Sequence, residues 1–445
     1  MTTPALSITK GANPLRGLAE FGQSVWLDYI RRSLITSGEL KRMVVEDGLR
    51  GVTSNPAIFE KAIVGSTDYL AVIQSAESAT LDAKALYEKI AIKDVQDAAD
   101  ILRTVWDESK YRDGYVSLEV SPLLAHDTAG TVEEARRLWK AVDRPNLMVK
   151  VPGTPEGIPA IRQLISEGIN VNVTLLFSRD VYEQVANAYI EGLAARAASG
   201  GDVNRIASVA SFFVSRIDST IDAEINAQLK TATDPAKRAR LAGLLGKVAI
   251  ANAKLVYHNF TERYSSEAWK ALANKGTQPQ RLLWASTSTK NPNYRDVLYV
   301  EELIGPSTVN TIPPATLNAF REHGRLRASL TEDVENAADT MEALEKAGIS
   351  MKVVTDKLLE DGLRQFEEAF AQLLKATGSR KGIDSSAKIN SISYTLPTKL
   401  TAAVEATLAD WAKNDKVRRL WRADASLWTN ADENHWLGWL GITDD

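Results

Sequence analysis

A lysine inside an apolar strand is the residue of greatest chemical consequence in this sequence. Lys150 lies in Asn146-Leu-Met-Val-Lys-Val-Pro152, and lysine is rarely buried without a partner. Inside a protein, desolvation favours the neutral amine, which attacks a carbonyl carbon to form a Schiff base. The alternative is a lysine that reaches solvent or pairs with an acid. Glu119 and Asp28 are the candidate acid–base groups. Schiff-base chemistry moves protons at carbinolamine formation, carbon–carbon cleavage and imine hydrolysis, and one carboxylate acting through a water serves all three steps. The plain alternative for either carboxylate is a salt bridge, with Lys150 itself as partner. Asn55, Asn172 and Thr174 carry the donors and acceptors that orient substrate hydroxyls, or equally those of a buried polar network. Arg216, Ser286 and Lys290 follow two late strands. They offer a guanidinium fork and further donors to a phosphate, or are ordinary cations beside polar loops.

These residues need a scaffold that brings distant segments together, and the chain shows one. Short β-like runs fall at Ser24–Tyr29, Gly51–Asn55, Val116–Ser121, Leu147–Val151, Ile169–Leu175, Ile206–Ser211, Leu282–Ser286 and Thr308–Ile312. Helical patterns such as Asp82–Asp107 and Val132–Ala141 separate most of them. Such alternation predicts parallel strands with crossover helices. Eight units predict a closed (β/α)₈ TIM barrel, with a doubly wound open sheet as the alternative. In Ile169–Leu175, Ile169, Val171, Val173 and Leu175 alternate with Asn170, Asn172 and Thr174. Opposite faces of a strand receive the two sets, so the polar set is expected to point into the barrel. A barrel exposes reactive groups at the carboxyl ends of its strands. Reading those positions gives Asp28, Thr53, Asn55, Glu119, Lys150, Asn172, Thr174 and Ser211.

A helical insert, Asp218 to Gln280, is expected between the sixth and seventh strands. Ser329-x-x-Glu332 has the form of a capping box, and Leu358, Leu359, Leu363, Phe366 and Phe370 recur at helical spacing. The chain then changes character. Residues 1–378 read as the barrel, 379–397 as a linker rich in Gly, Ser, Lys and Asn, and 398–445 as a helical, Trp-rich extension. Trp411, Trp421, Trp428, Trp436 and Trp439 are five of the chain's 10 tryptophans, and such bulk is expected to pack against the barrel or another domain.

Composition narrows the chemistry. Of the 445 residues, 53 are Lys or Arg and 57 Asp or Glu, a net charge of −4. That balance gives no general attraction to nucleic acid or to an anionic membrane. The absence of cysteine excludes disulfides, thiol nucleophiles and thiolate metal sites. His126, His258, His323 and His435 are scattered, with no His-Glu-x-x-His pair. No Gly-x-Gly-x-x-Gly turn or Gly-Lys-Ser/Thr loop is present, and no run reaches the roughly 18 apolar residues of a membrane helix. The amino terminus lacks the apolar core of a signal peptide, so a cytoplasmic protein is expected.

Five segments carry a family resemblance. Gly51-Val-Thr-Ser-Asn-Pro-Ala-Ile-Phe59 resembles the first signature of the transaldolase family. Pro145-Asn-Leu-Met-Val-Lys-Val-Pro-Gly-Thr154 resembles the second, and Gly168-Ile-Asn-Val-Asn-Val-Thr-Leu-Leu-Phe177 the strand after it. The match continues through Ser211-Phe-Phe-Val-Ser-Arg-Ile-Asp218 and Asn310-Thr-Ile-Pro-Pro314, covering residues 10–378. The resemblance implies a class I aldolase-type barrel without metal or organic cofactor, acting on sugar phosphates. By the same resemblance, Lys150 forms the Schiff base, Glu119 is the acid–base catalyst acting through a water, and Asp28 moves a proton at carbon–carbon cleavage. Thr174 helps hold the water, and Asn55 and Asn172 bind the dihydroxyacetone unit. Thr53 and Ser211 line the site, Phe213 stands near its mouth, and Arg216 and Ser286 bind phosphate.

The sequence departs from the family at two places. Ser288 stands where much of the family has an arginine, and Lys290 is expected to supply the missing charge. The tail, with Val417-Arg-Arg-Leu-Trp-Arg-Ala-Asp and His435-Trp-Leu-Gly-Trp439, resembles the entry to a glucose-6-phosphate isomerase domain, the partner to which some transaldolases are joined. The resemblance therefore implies transfer of a dihydroxyacetone unit in the pentose phosphate pathway. The alternatives are an aldolase that releases dihydroxyacetone from fructose 6-phosphate, and a non-catalytic sugar-phosphate-binding barrel serving an isomerase.

Overall fold

The structure, a computed structural model, describes residues 13–380, 398–414, 416–421 and 424–437. The chain divides into two compact units, Met1–Ile383 and Asp384–Asp445. Eight strands form the heart of the first: β1 Gln23–Asp28, β2 Gly51–Thr53, β3 Tyr115–Glu119, β4 Leu147–Pro152, β5 Val171–Leu176, β6 Ser208–Phe213, β7 Arg281–Ala285 and β8 Thr308–Ile312. Each pairs in parallel with the next, and β8 pairs with β1, so the sheet is a closed barrel rather than an open one.

Helices cover the outside. They are α1 Pro56–Val64, α2 Ala83–Glu108, α3 Thr128–Val142, α4 Gly157–Glu167, α5 Arg179–Ala198 and α6 Ser215–Thr231, with α7 Pro235–Ala242, α8 Val248–Ser265 and α9 Glu267–Ala273 following before β7. After β8 come α10 Pro314–His323, α11 Val334–Lys346 and α12 Met351–Arg380. Many of these helices begin where a short polar side chain satisfies a free backbone N–H. Asn55 caps α1 by accepting from Ile58 N at 2.9 Å, with Pro56 at the first helical position. Asp82 does the same for α2 and Asp127 for α3. The outward residues Val116, Leu118, Val149, Val171 and Val173 join Ile90, Val95, Leu102 and Trp106 of α2 in one continuous core.

Strand register explains how the chemistry is assembled. Glu119 pairs with Lys150 across β3–β4, and Lys150 with Asn172 across β4–β5. Asp28 pairs with Thr53 across β1–β2. Residues paired in a parallel ladder share a face, so these side chains form rows inside the barrel. The tight approach at β2 requires Gly51: a β-carbon there would lie 2.5 Å from Cδ2 of Trp26. At the opposite end of the barrel, Arg281 donates to Asp113 at 2.9 Å and to Ser24 at 2.8 Å, and Trp26 Nε1 donates to Asp113 at 3.1 Å. This buried network closes the floor.

Two expectations are corrected. The alternation in β5 does not run on to Leu175. A register shift falls between Val173 and Leu176, and Leu175 takes a φ of 60°, as an extra residue in one strand demands. Ser329 does not cap a helix. Its Oγ donates to Glu301 O at 2.6 Å and accepts from Ile304 N at 3.0 Å, and α11 begins at Val334 without a side-chain cap. Distant backbone partners have taken the hydroxyl, and Glu332 instead meets Arg327 at 2.9 Å. The expected helical insert is present: from Asp218 it runs through the rest of α6 and through α7, α8 and α9.

The periodic stretch near the end is the long helix α12, which buries Leu358, Leu363, Phe366, Phe370 and Leu373. It runs through Arg380, and the rest of the expected linker at 379–397 lies outside the described residues. The second unit is helical, with α13 Thr398–Lys413, α14 Lys416–Trp421 and short turns at Ala425–Leu427 and Glu433–Trp436. Trp421, Trp428 and Trp436 are exposed rather than buried, and Trp439 lies outside the described residues.

Candidate active site

Lys150 is 5% exposed in the middle of β4. Its Nζ donates to Ser54 O at 3.0 Å and to Glu119 Oε2 at 3.3 Å. Both readings of the sequence therefore meet here: the amine is buried, and it is paired with an acid. Glu119 is itself buried, and burial raises its pKa; the nearby Lys150 charge opposes that rise and Asp28 adds to it. Asp28 ends β1, where its Oδ1 accepts from Thr53 Oγ1 at 2.7 Å. Its pKa is also raised by burial, against the Thr53 hydrogen bond and the charges of Lys150 and Arg216. Two carboxylates held toward their neutral forms beside one amine make a set able to give and take protons.

The polar rows continue on β5 and β6. Asn172 donates to Ser117 Oγ at 3.0 Å and accepts from Ser211 Oγ at 2.6 Å, which fixes the amide plane and leaves a second N–H. Thr174 Oγ1 is buried and has no hydrogen-bond partner among the described residues. A buried hydroxyl without a partner costs roughly 1–3 kcal/mol, so this atom is suited to hold water or substrate.

A second group of residues stands at the rim. Arg216 lies in the first turn of α6, with its guanidinium 5.2 Å from the Phe213 ring, and the Phe177 ring packs tilted against the same ring at 5.2 Å. Aromatic contact fixes where the fork points. Burial lowers the Arg216 pKa, and Asp28 opposes the shift. Ser286 has a φ of 55° and its Oγ is 3.0 Å from Ser215 Oγ. Lys290 Nζ rests on Ser288 Oγ at 2.9 Å.

A cavity of about 600 Å³ joins the two groups. Asp28, Thr53, Asn55, Lys150, Asn172, Thr174, Ser211, Phe213, Arg216, Ser286 and Lys290 all line it. Glu119 reaches it through Lys150. Sequence reasoning missed Lys61, Thr311, Tyr29 and Phe366, which also line it. Thr311 Oγ1 lies 2.6 Å from Thr53 Oγ1 and extends the hydroxyl chain that ends on Asp28. As a polar residue near the end of β8, Thr311 was open to the strand-end reading. Lys61 lies on α1 and Phe366 on α12, where strand alternation has nothing to say. Among the described residues, no group of three His, Cys, Asp or Glu side chains is placed to hold a metal ion.

Beneath the rim, Asp218 of α6 accepts from Ala249 N at 2.7 Å and from Tyr299 Oη at 2.9 Å. Burial raises its pKa from 3.8 to about 7 despite these bonds, and Asp222 one turn away adds to the rise. The folded protein thus holds this proton more tightly than the unfolded chain, so stability falls as pH rises from about 4 to about 7. Asp218→Asn keeps the shape and removes the titration. Its stability relative to wild type is expected to rise by up to a few kcal/mol across that window and to level off above it. Denaturant melts at several pH values check this, and parallel curves would contradict it.

The fold and cavity define a (β/α)₈-barrel enzyme with its polar site at the carboxyl ends of the strands. Comparison with known proteins gives the family. A profile of the transaldolase/fructose-6-phosphate aldolase family matches residues 25–377. A transaldolase of Trichodesmium erythraeum (strain IMS101) is 50% identical over 366 residues, which is 82% of this chain and 96% of the relative. Transaldolase 2 of Nostoc punctiforme is 50% identical over 367 residues, 82% of this chain and 96% of the relative. A transaldolase of Thiobacillus denitrificans is 46% identical over 366 residues, 82% of this chain and 100% of the relative. The chain belongs to the transaldolase/fructose-6-phosphate aldolase family and is an enzyme of the transaldolase kind.

Proposed function

We propose that this enzyme moves a dihydroxyacetone unit from a ketose phosphate to an aldose phosphate through a Schiff base on Lys150. Sedoheptulose 7-phosphate or fructose 6-phosphate is the donor; glyceraldehyde 3-phosphate or erythrose 4-phosphate is the acceptor. One observation carries the reading: a buried amine, bonded to Glu119 and to Ser54 O, opens into a 600 Å³ cavity lined with hydroxyls, amides and cations.

The steps follow from the residues. The Lys150 ammonium loses a proton toward Glu119, and the amine attacks the C2 ketone. Glu119 protonates the departing hydroxyl through a water held by Thr174, and the imine forms with loss of water. Asp28 takes the C4 hydroxyl proton, the C3–C4 bond breaks, and its electrons enter the protonated imine to give an enamine. The aldose phosphate leaves. Asn55 and Asn172 hold the hydroxyls of the remaining unit. An acceptor aldehyde then takes the enamine electrons and the Asp28 proton, and hydrolysis of the imine frees Lys150. Arg216, Ser286 and Lys290 hold the phosphate; Lys290 takes the place of the missing arginine because its ammonium rests on Ser288 itself. The kinetics are ping-pong.

Transfer and release are separated by one assay. With fructose 6-phosphate and erythrose 4-phosphate, sedoheptulose 7-phosphate accumulates. Without an acceptor, release of free dihydroxyacetone is expected to be at least about 100-fold slower, because the enamine sits on the buried Lys150, away from bulk proton donors. Equal rates with and without acceptor would identify the releasing aldolase instead.

No helix among the described residues is long and apolar enough to cross a membrane, and we place the reaction in the cytoplasm. For the tail we propose association with a glucose-6-phosphate isomerase domain, supported by the exposed Trp421, Trp428 and Trp436. Removing residues 398–445 is expected to cost solubility while changing kcat by less than about twofold, since they belong to a compact unit of their own. Collapse of turnover in folded, shortened protein would show that the tail serves the site.

A further inference from the structure

The insert between β6 and β7 carries more than bulk. The residues proposed to bind phosphate lie on two separate pieces of chain. Arg216 is on α6, whereas Ser286, Ser288 and Lys290 are on the loop from β7 to Leu298. The near end of that loop is tied down, with Val214 N donating to Ala285 O and Ser215 N to Ser286 O, both at 3.0 Å. Beyond Lys290 the chain makes a turn in which Tyr294 N donates to Asn291 O at 3.1 Å. The Tyr294 hydroxyl then donates to Asp222 Oδ2 at 2.6 Å.

Asp222 lies on α6, six residues beyond Arg216. Its other oxygen accepts from Gly246 N at 3.1 Å. Gly246 has a φ of 70°, and a β-carbon there would lie 2.7 Å from Cζ of Tyr294. The insert therefore presents a backbone N–H to the carboxylate and a bare Cα to the tyrosine ring. The loop bearing Lys290 is held against the helix bearing Arg216 by one hydroxyl, one carboxylate and one glycine of the insert.

We propose that Tyr294 and Asp222 are positioning residues for the phosphate of the substrate: they set Lys290 and Ser288 at a fixed separation from Arg216, so that both sides of the phosphate meet preformed donors. The inference deepens the proposed function and rests on its phosphate site. Lys290 is exposed, and its ammonium donates to a neutral hydroxyl, Ser288 Oγ. Ordering such a side chain and its loop at binding costs affinity, and a tether that orders them beforehand recovers it. Tyr294 is itself only half-buried, and it is not among the residues lining the cavity.

Tyr294→Phe removes the hydroxyl alone. In the full chain, inorganic phosphate measured by titration calorimetry is expected to bind about fivefold more weakly, and KM for fructose 6-phosphate to rise in step, as loss of a tether worth one ordinary hydrogen bond predicts. The value of kcat should stay within about twofold, because the variant leaves Lys150, Glu119 and Asp28 untouched. Borohydride trapping of unphosphorylated dihydroxyacetone on Lys150 should proceed at the wild-type rate. Asp222→Asn should weaken phosphate in the same direction, and it carries the test if Tyr294→Phe is unstable. Unchanged phosphate affinity and KM in a folded variant, with or without a lowered melting temperature, would overturn the proposal. Phosphate binding is read without turnover, so a failure of Schiff-base chemistry shows only in the trapping arm and leaves the positioning test intact.

Discussion

Lys150→Met is expected to lower kcat by more than about 10⁴-fold, the scale on which removal of a covalent nucleophile acts. Methionine has a similar length and an apolar body, so the barrel interior can accept it. It cannot form an imine, and the residues paired with position 150 across the sheet, Glu119 and Asn172, supply no second amine. The fold should survive. Removing the ammonium takes a donor from both Glu119 and Ser54 O. Loss of one partner of a buried pair is destabilising, so the melting temperature is expected to fall while the protein still folds. Steady-state assays and thermal melts of the same preparation check both halves. Wild-type turnover in Lys150→Met would remove the amine from the mechanism.

Glu119→Gln is expected to slow turnover by about 10²–10⁴-fold, the usual range for a positioned acid–base group. Glutamine still offers a carbonyl oxygen to Lys150 Nζ, so the amine keeps its orientation and substrate still binds. The loss therefore falls on kcat more than on KM. The pH profile supplies a second sign. Burial raises the pKa of Glu119 and of Asp28, and each carboxylate acts as a base only when ionised. Activity should thus fall as the medium is made more acidic, along a limb lying above the ordinary carboxylate range. The two groups sense each other, so that limb belongs to the pair. In Glu119→Gln it should narrow to a single ionisation and move downward, because the step that burial and Asp28 raise, that of Glu119, has gone. A profile unchanged in shape would remove Glu119 from proton transfer.

How much of this was legible in the sequence depends on which forces acted at each residue. Strand positions were readable because a barrel imposes two environments on alternate residues. Leu147–Val151 was expected and Leu147–Pro152 is found; alternation marked Asn172 as inward, strand-end position marked Glu119 and Lys150, and the register joins the three in one row. Distance in the chain hid the rest. Lys61 sits on a helix, and only closure of the barrel brings it to the same cavity as Lys290. Ser329 had the local form of a cap, yet Glu301 O and Ile304 N, more than 20 residues away, claimed its hydroxyl. Tyr294 lies in a loop with no periodicity, and its partner Asp222 is 72 residues earlier. Leu175 would have continued a clean alternation, but the bulge at the end of β5 interrupts it. Its neighbour in space is Gly362 of α12: a β-carbon on that glycine would lie 2.9 Å from Cδ2 of Leu175. Local pattern thus revealed the scaffold and its strand-end chemistry, while the loops and helices that complete the site depend on contacts made only in the folded chain.

The most direct test of the account is chemical trapping. Purified enzyme is incubated with fructose 6-phosphate, reduced with borohydride, and examined by intact mass and peptide mapping. The account predicts one three-carbon adduct per chain, on the peptide containing Lys150, removed again when erythrose 4-phosphate is added before the reductant. An adduct on a different lysine, or none on folded protein under conditions that label a known Schiff-base enzyme, would contradict it.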